Sequence, residues 1–221
     1  MRLATKICER KKKDMAYSDF TLEAAEAQFE LTIETQGDYF AETPPVTISD
    51  LLRQTLARRT ARAIAMGNEK ARSELLIVPI LLEGVETYPQ PISFFSGQDF
   101  SPDPARGLRG ACDYLISLSP NQLIIKAPVV AVAEAKREDI STGWGQCVAE
   151  MVGAQAYNQT HDNPLATVYG IVTIGTIWRF LRLIGKTIYI DRTEYYLNDV
   201  EKIVGILLAM LHEAAAARQT A

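Results

Sequence analysis

The segment Pro128–Lys136 reads PVVAVAEAK, apolar on both faces up to a charged pair at its end. A short valine-rich run of this kind predicts a strand covered by helices on both sides, and it sets the chain in the α/β class. Glu134 and Lys136 stand at i and i+2, so both side chains leave one face of that strand. They also fall at its carboxyl end, where open α/β sheets usually bind ligands.

Downstream, Gly143 and Gly145 open a helix, GQCVAEMVGAQAYN, that fades near Asn158 and ends by Pro164. Thr167–Thr173 and Ile177–Ile184 form a hairpin turning at Gly175, and Lys186–Ile190 adds a short strand. Asn198-Asp199 caps a C-terminal helix with Val200, Ile203, Val204, Leu207, Leu208 and Leu211 at three-to-four spacing. Upstream, Ala111–Leu118 is a second strand, and 84–107 is a loop around a short strand at Ile92–Phe95. A helix follows Asn68 and is expected to kink or end at Pro79. Another is capped by Ser49-Asp50, runs to about Ala65 and stops at Gly67. Residues 19–30 are helical, Leu31-Thr32-Ile33 starts a short strand, and Thr43-Pro44-Pro45 breaks the chain. The order predicts an α/β sandwich, a mixed central sheet flanked by helices, with residues 1–45 as an N-terminal extension packed on a single domain spanning 46–221.

Composition excludes several classes. Hydrophobic residues at 48% and charged residues at 23% of 221 rule out a disordered or low-complexity chain. Three cysteines without CxxC spacing are neither a disulfide framework nor a zinc site, and they suit a reducing cytoplasm. The start, MRLATKICERKKK, carries charge where a signal peptide needs an apolar run, and no stretch approaches a membrane span. A net charge of −4 advertises no overall basic footprint. Two features carry local positive charge. Arg10-Lys11-Lys12-Lys13 reads as a solvated terminus or a phosphate-binding arm. Arg53, Arg58, Arg59 and Arg62 share one helix without making one clean stripe, which reads as a solvated face before a nucleic-acid patch.

The anomaly is charge inside apolar segments. Asp113 interrupts a strand between Cys112 and Tyr114, and Glu134 ends another. Glu74, three and four residues before Ile77 and Val78, is expected on the buried side of its helix. Burying an unpaired carboxylate costs several kcal/mol, against a total stability of about 5–15 kcal/mol. Lys136 supplies one compensating charge and a divalent metal would supply the rest; carboxylates and water are the hard ligands Mg²⁺ prefers. The plainer alternative is a same-face Glu134–Lys136 ion pair with Asp113 capping a turn.

Glu74, Asp113 in GACDYLI, Glu134-Ala135-Lys136 and then Gln146 opening a helix together resemble the PD-(D/E)XK nuclease superfamily, the restriction-endonuclease-like fold. The resemblance runs from about Glu69 to Leu183, roughly half the chain, and extends to a group of small uncharacterised bacterial members. Cys112 stands where the motif often has proline. The resemblance implies Asp113 and Glu134 as metal ligands, the Ala135 carbonyl as a third, and Glu74 reaching in directly or through water. It implies Mg²⁺, with Mn²⁺ as substitute, lowering the pKa of a bound water. Lys136 would position the nucleophile or steady the transition state, and Gln146 would face the site. Gln155 and Tyr157 are a second way to supply a glutamine. The implied activity is a nuclease acting on nucleic acid, most of all DNA. The alternative is a non-catalytic nucleic-acid- or protein-binding module retaining the fold. A homodimer would follow from the two cuts of a double-strand break.

Other chemistries lack support in the sequence. His161-Asp162 has no upstream histidine to complete a metal site, and His212 lies in the terminal helix. Gly185-Lys186-Thr187 imitates a P-loop end without its earlier glycine. Trp144 and Trp178 are core or hairpin packing before they are base-stacking platforms.

Overall fold

The computed structural model describes residues 15–219. Cys8, the 10–13 basic cluster and residues 220–221 lie outside the described residues. In chain order the elements are α1 (Leu22–Phe29), β1 (Thr32–Glu34), α2 (Asp50–Met66), α3 (Glu69–Arg72), a π-helical stretch (Ser73–Ile77), and α4 (Val78–Thr87). There follow β2 (Ser93–Asp99), β3 (Ala111–Ser117), β4 (Val129–Ala135), α5 (Trp144–Thr160), β5 (Thr167–Thr173), β6 (Ile177–Ile184), β7 (Thr187–Ile190), β8 (Tyr195–Tyr196) and α6 (Val200–Gln219).

The sheet runs β1-β7-β6-β5-β4-β3-β2, with β8 added on β6. The β1–β7 and β4–β5 pairs are parallel and the others antiparallel, so the sheet is mixed. Strand β4 is buried at every residue. One of its faces joins a core with α2, α4 and α6, and the other a core with α1 and α5. The protein is therefore an α/β sandwich with helices on both faces of a mixed sheet, as the doubly apolar β4 predicts.

Local chemistry explains the element ends. The Ser49 hydroxyl accepts the Leu52 N–H at 3.1 Å to start α2, and Gly67 closes it at φ 61°, in the left-handed region that glycine tolerates. The helix after Asn68 does not end at Pro79 but runs on to Thr87. The Val78 N–H already bonds to the Ser73 carbonyl, five residues back, so Pro79 enters the first turn of a fresh α segment, where its missing N–H is not needed. Strand β2 is longer than expected because its polar half, Ser96 to Asp99, still pairs with β3 at the sheet edge.

Residues 15–45 contribute to both cores. Tyr17, Phe20 and Phe29 pack with α5, Phe40 packs on the other side of the sheet, and β1 extends it through β7. Among the described residues no helix is long and apolar enough to cross a membrane.

Candidate active site

Strand β4 ends at the site. Its register with β3 pairs Tyr114 with Ala133, which brings Asp113 beside Glu134. Beyond Tyr114 the ladder continues through a side chain, since Asp113 Oδ2 accepts the Ala135 N–H at 2.8 Å. The Lys136 N–H bonds to the Thr173 carbonyl of β5 at 2.8 Å, fixing the residue that carries the amine. The strand pleat then sends the Glu134 and Lys136 side chains to one side, where they form an ion pair.

Helix α5 closes that side. It can approach because Gly143 lacks a side chain: a β-carbon there would lie 2.6 Å from Val172 Cγ1 and 3.2 Å from Lys136 Cγ, while Gly145 makes room for the backbone of Phe20 and Thr21. Gln146 in its first turn binds both partners. Its amide donates to Glu134 Oε2 at 2.8 Å, and its Oε1 accepts from Lys136 Nζ at 3.2 Å. The same amide donates at 3.1 Å to Glu150 Oε1, one turn further along.

The result is a largely buried, acid-rich cluster. Glu134 is 2% exposed and Glu150 0%, while the Lys136 side chain keeps 19% of its surface and Asp113 is half-buried. Burial, reinforced by the neighbouring Asp113 carboxylate and opposed by Lys136, pushes the Glu134 pKa up to about 8. Burial and Glu134 likewise hold Glu150 well above the carboxylate range. Burial pulls the Lys136 amine down, but the carboxylates of Glu134 and Asp113 outweigh it and leave its pKa raised. One cation is thus too little for three carboxyl groups.

The structure brings Asp113, Glu134, Lys136 and Gln146 together, with Ala135 between the strand partners. It does not bring Glu74. That side chain is 58% exposed and pairs with Lys70 Nζ at 3.0 Å, contrary to the expected buried orientation. The cause is the π-helical stretch: its wider turn alters the angular phase that an ideal helix spacing assumes, and Ser73 meets the Tyr114 hydroxyl instead. Gln155 and Tyr157 also stay out, bonding to the carbonyls of Gly185 and Ile125. Glu150 joins the site one turn after Gln146, on the helix face where their spacing puts it. Its signal is an acid at i+4 from Gln146, inside an otherwise apolar stretch of helix.

Remaining candidates have structural roles. Trp178 is fully buried and donates to the Gly175 carbonyl at 3.2 Å, and Trp144 lies under the Arg179 guanidinium at 5.2 Å. His161 ends α5 against the Tyr157 ring, and His212 packs edge-on to Tyr88. Burial raises the Cys112 and Cys147 thiols, which removes both as thiolate nucleophiles.

The donor set suits a hard divalent cation. Among the described residues no three His, Cys, Asp or Glu side chains converge as a complete metal cage. Asp113 and Glu134 form a two-carboxylate set, and Mg²⁺ typically binds through one or two carboxylates while keeping several waters. The orphaned Glu150 Oε2 and the raised Glu134 pKa mark a cluster with too little positive charge to keep its buried carboxyl groups ionised, which such a cation would supply. Scans against protein-family models, curated proteins and solved structures find no match to this chain.

Proposed function

We propose that this chain is a PD-(D/E)XK-type, Mg²⁺-dependent phosphodiesterase that hydrolyses nucleic acid, with DNA as its substrate. The observation that carries the reading is the meeting of Asp113, Glu134 and Lys136 at the carboxyl end of β4, beside the first turn of α5. Bound there, Mg²⁺ or Mn²⁺ would supply positive charge to the scissile phosphate and acidify a coordinated water.

The side chains supply the rest. Asp113 and Glu134 offer oxygen ligands, and the Ala135 N–H holds one Asp113 oxygen in place. Lys136 presents a part-buried ammonium whose donors orient the attacking water and offset charge growing on the phosphoryl oxygens. Gln146 keeps Glu134 and Lys136 in register. In the hydrolysis the water oxygen bonds to phosphorus as one ester P–O bond breaks. The departing oxygen takes up a proton, leaving a phosphomonoester and a free hydroxyl.

The test is a calorimetric Mn²⁺ titration of wild type beside Asp113→Asn, followed by cleavage assays on plasmid and oligonucleotide DNA. Binding that is lost in the variant, together with Mg²⁺-dependent cleavage, is expected. Wild type that neither binds the metal nor cleaves DNA in its presence overturns the reading.

A further inference from the structure

Helix α2 bears a charge asymmetry that the site does not use. Residues 51–68 hold four arginines and no acidic residue in a chain of net charge −4. At 3.6 residues per turn, Arg58, Arg59 and Arg62 fall within an arc of about 100°. Leu52, Leu56 and Ala63 occupy the buried arc beside them. Arg53 points elsewhere, pairing with Asp50 at 3.7 Å and Glu201 at 3.8 Å. The other three are exposed, and among the described residues they have neither an ion-pair nor a hydrogen-bond partner. The linear sequence hides this face because Arg53 blurs the stripe.

The helix that carries this face ends beside the segment leaving the candidate site. Helix α2 ends at Gly67, whose carbonyl accepts from Arg137 Nε at 2.8 Å. Arg137 directly follows Lys136, so this bond ties the carboxyl end of α2 to the segment leaving the site. With a rise of 1.5 Å per residue, Arg62 and Arg58 stand about 8 and 14 Å back along the axis from Gly67.

We propose that Arg58, Arg59 and Arg62 form a track for the phosphodiester backbone of a polynucleotide whose scissile phosphate lies at Lys136. The proposal rests on the nuclease reading for the end point of that path. Charge complementarity chooses the occupant. Unpaired guanidiniums suit phosphate oxygens, and without base-reading geometry they bind sequence-independently. The chain's overall acidity makes this face a local exception.

The experiment measures binding of the full chain to a labelled DNA duplex, its single strand and the matching RNA, in EDTA, across a salt series. Arg58→Gln/Arg59→Gln/Arg62→Gln is compared with wild type and with Arg53→Gln. The triple variant is expected to bind at least about tenfold more weakly on every sequence. Its salt slope on duplex should fall by about 0.9 for each phosphate that the arginines no longer neutralise. Arg53→Gln should bind as wild type does. Wild-type affinity and slope in the triple variant overturn the track, as does wild type that binds none of the probes. Metal titration and cleavage judge the site separately: binding without cleavage fails the nuclease reading and keeps the track, and cleavage indifferent to the triple change does the reverse.

Discussion

Gln146 Nε2 stands 2.8 Å from Glu134 Oε2, tying the first turn of α5 to the end of β4. This one amide decides how negative charge is shared, because it also reaches Glu150 Oε1 at 3.1 Å. Gln146→Ala would leave two buried carboxyl groups short of a donor, at a cost of about 1–3 kcal/mol. A melting temperature lower by several degrees is expected in calorimetry, partly restored when Glu150→Gln is added.

Glu150 itself is held without a partner for Oε2. Glu150→Gln keeps the shape and removes a buried ionisable group, so thermal stability should stay level or rise. A fall of more than about 1 kcal/mol in denaturant unfolding would show that the carboxyl group is needed as such.

Glu134 makes metal-free stability depend on pH. Its pKa in the folded protein is about 8 against an ordinary 4.5, so between those values the native state holds a proton that the unfolded chain has released. Stability must fall as pH rises through that window, by up to ~1.4 kcal/mol per unit from this group. Melting curves in EDTA from pH 5 to 9 should show the decline in wild type and a flatter profile in Glu134→Gln.

Metal binding should reverse that trend. A cation at Asp113 and Glu134 displaces the Glu134 proton, so affinity for Mn²⁺ is expected to climb with pH up to about 8. Calorimetry in two buffers of different ionisation enthalpy would reveal the released proton. At about 100 times the dissociation constant the metal adds ~2.7 kcal/mol of stability, and Asp113→Asn should lose that gain.

Lys136→Ala should lower DNA cleavage by about a hundredfold or more while the fold survives. Glu134 avoids becoming an isolated buried charge by keeping its proton, so the melting temperature should move only a few degrees. Cleavage at the wild-type rate would assign the chemistry elsewhere.

Much of the fold was legible because its signals are local. The doubly apolar β4, the turn at Gly175, and the Ser49 cap and Gly67 stop of α2 all lie where the residues place them. The site was legible where strand geometry alone governs it. Alternation puts Glu134 and Lys136 on one face, whatever the sheet around them. Glu74 was misjudged because a single π-helical stretch alters the phase of every later residue in its helix.

Sequence by itself determined the element order, the buried central strand and the set of charges at its end, since each depends on neighbours within a few residues. Tertiary structure alone decided that Asp113 meets Glu134 across two strands, that Gln146 reaches both Glu134 and Lys136, and that the end of α2 is tied to the segment leaving Lys136. Those relationships depend on the register between segments distant in the chain, and on burial, which turns ordinary carboxyl groups into groups that hold their protons near neutrality.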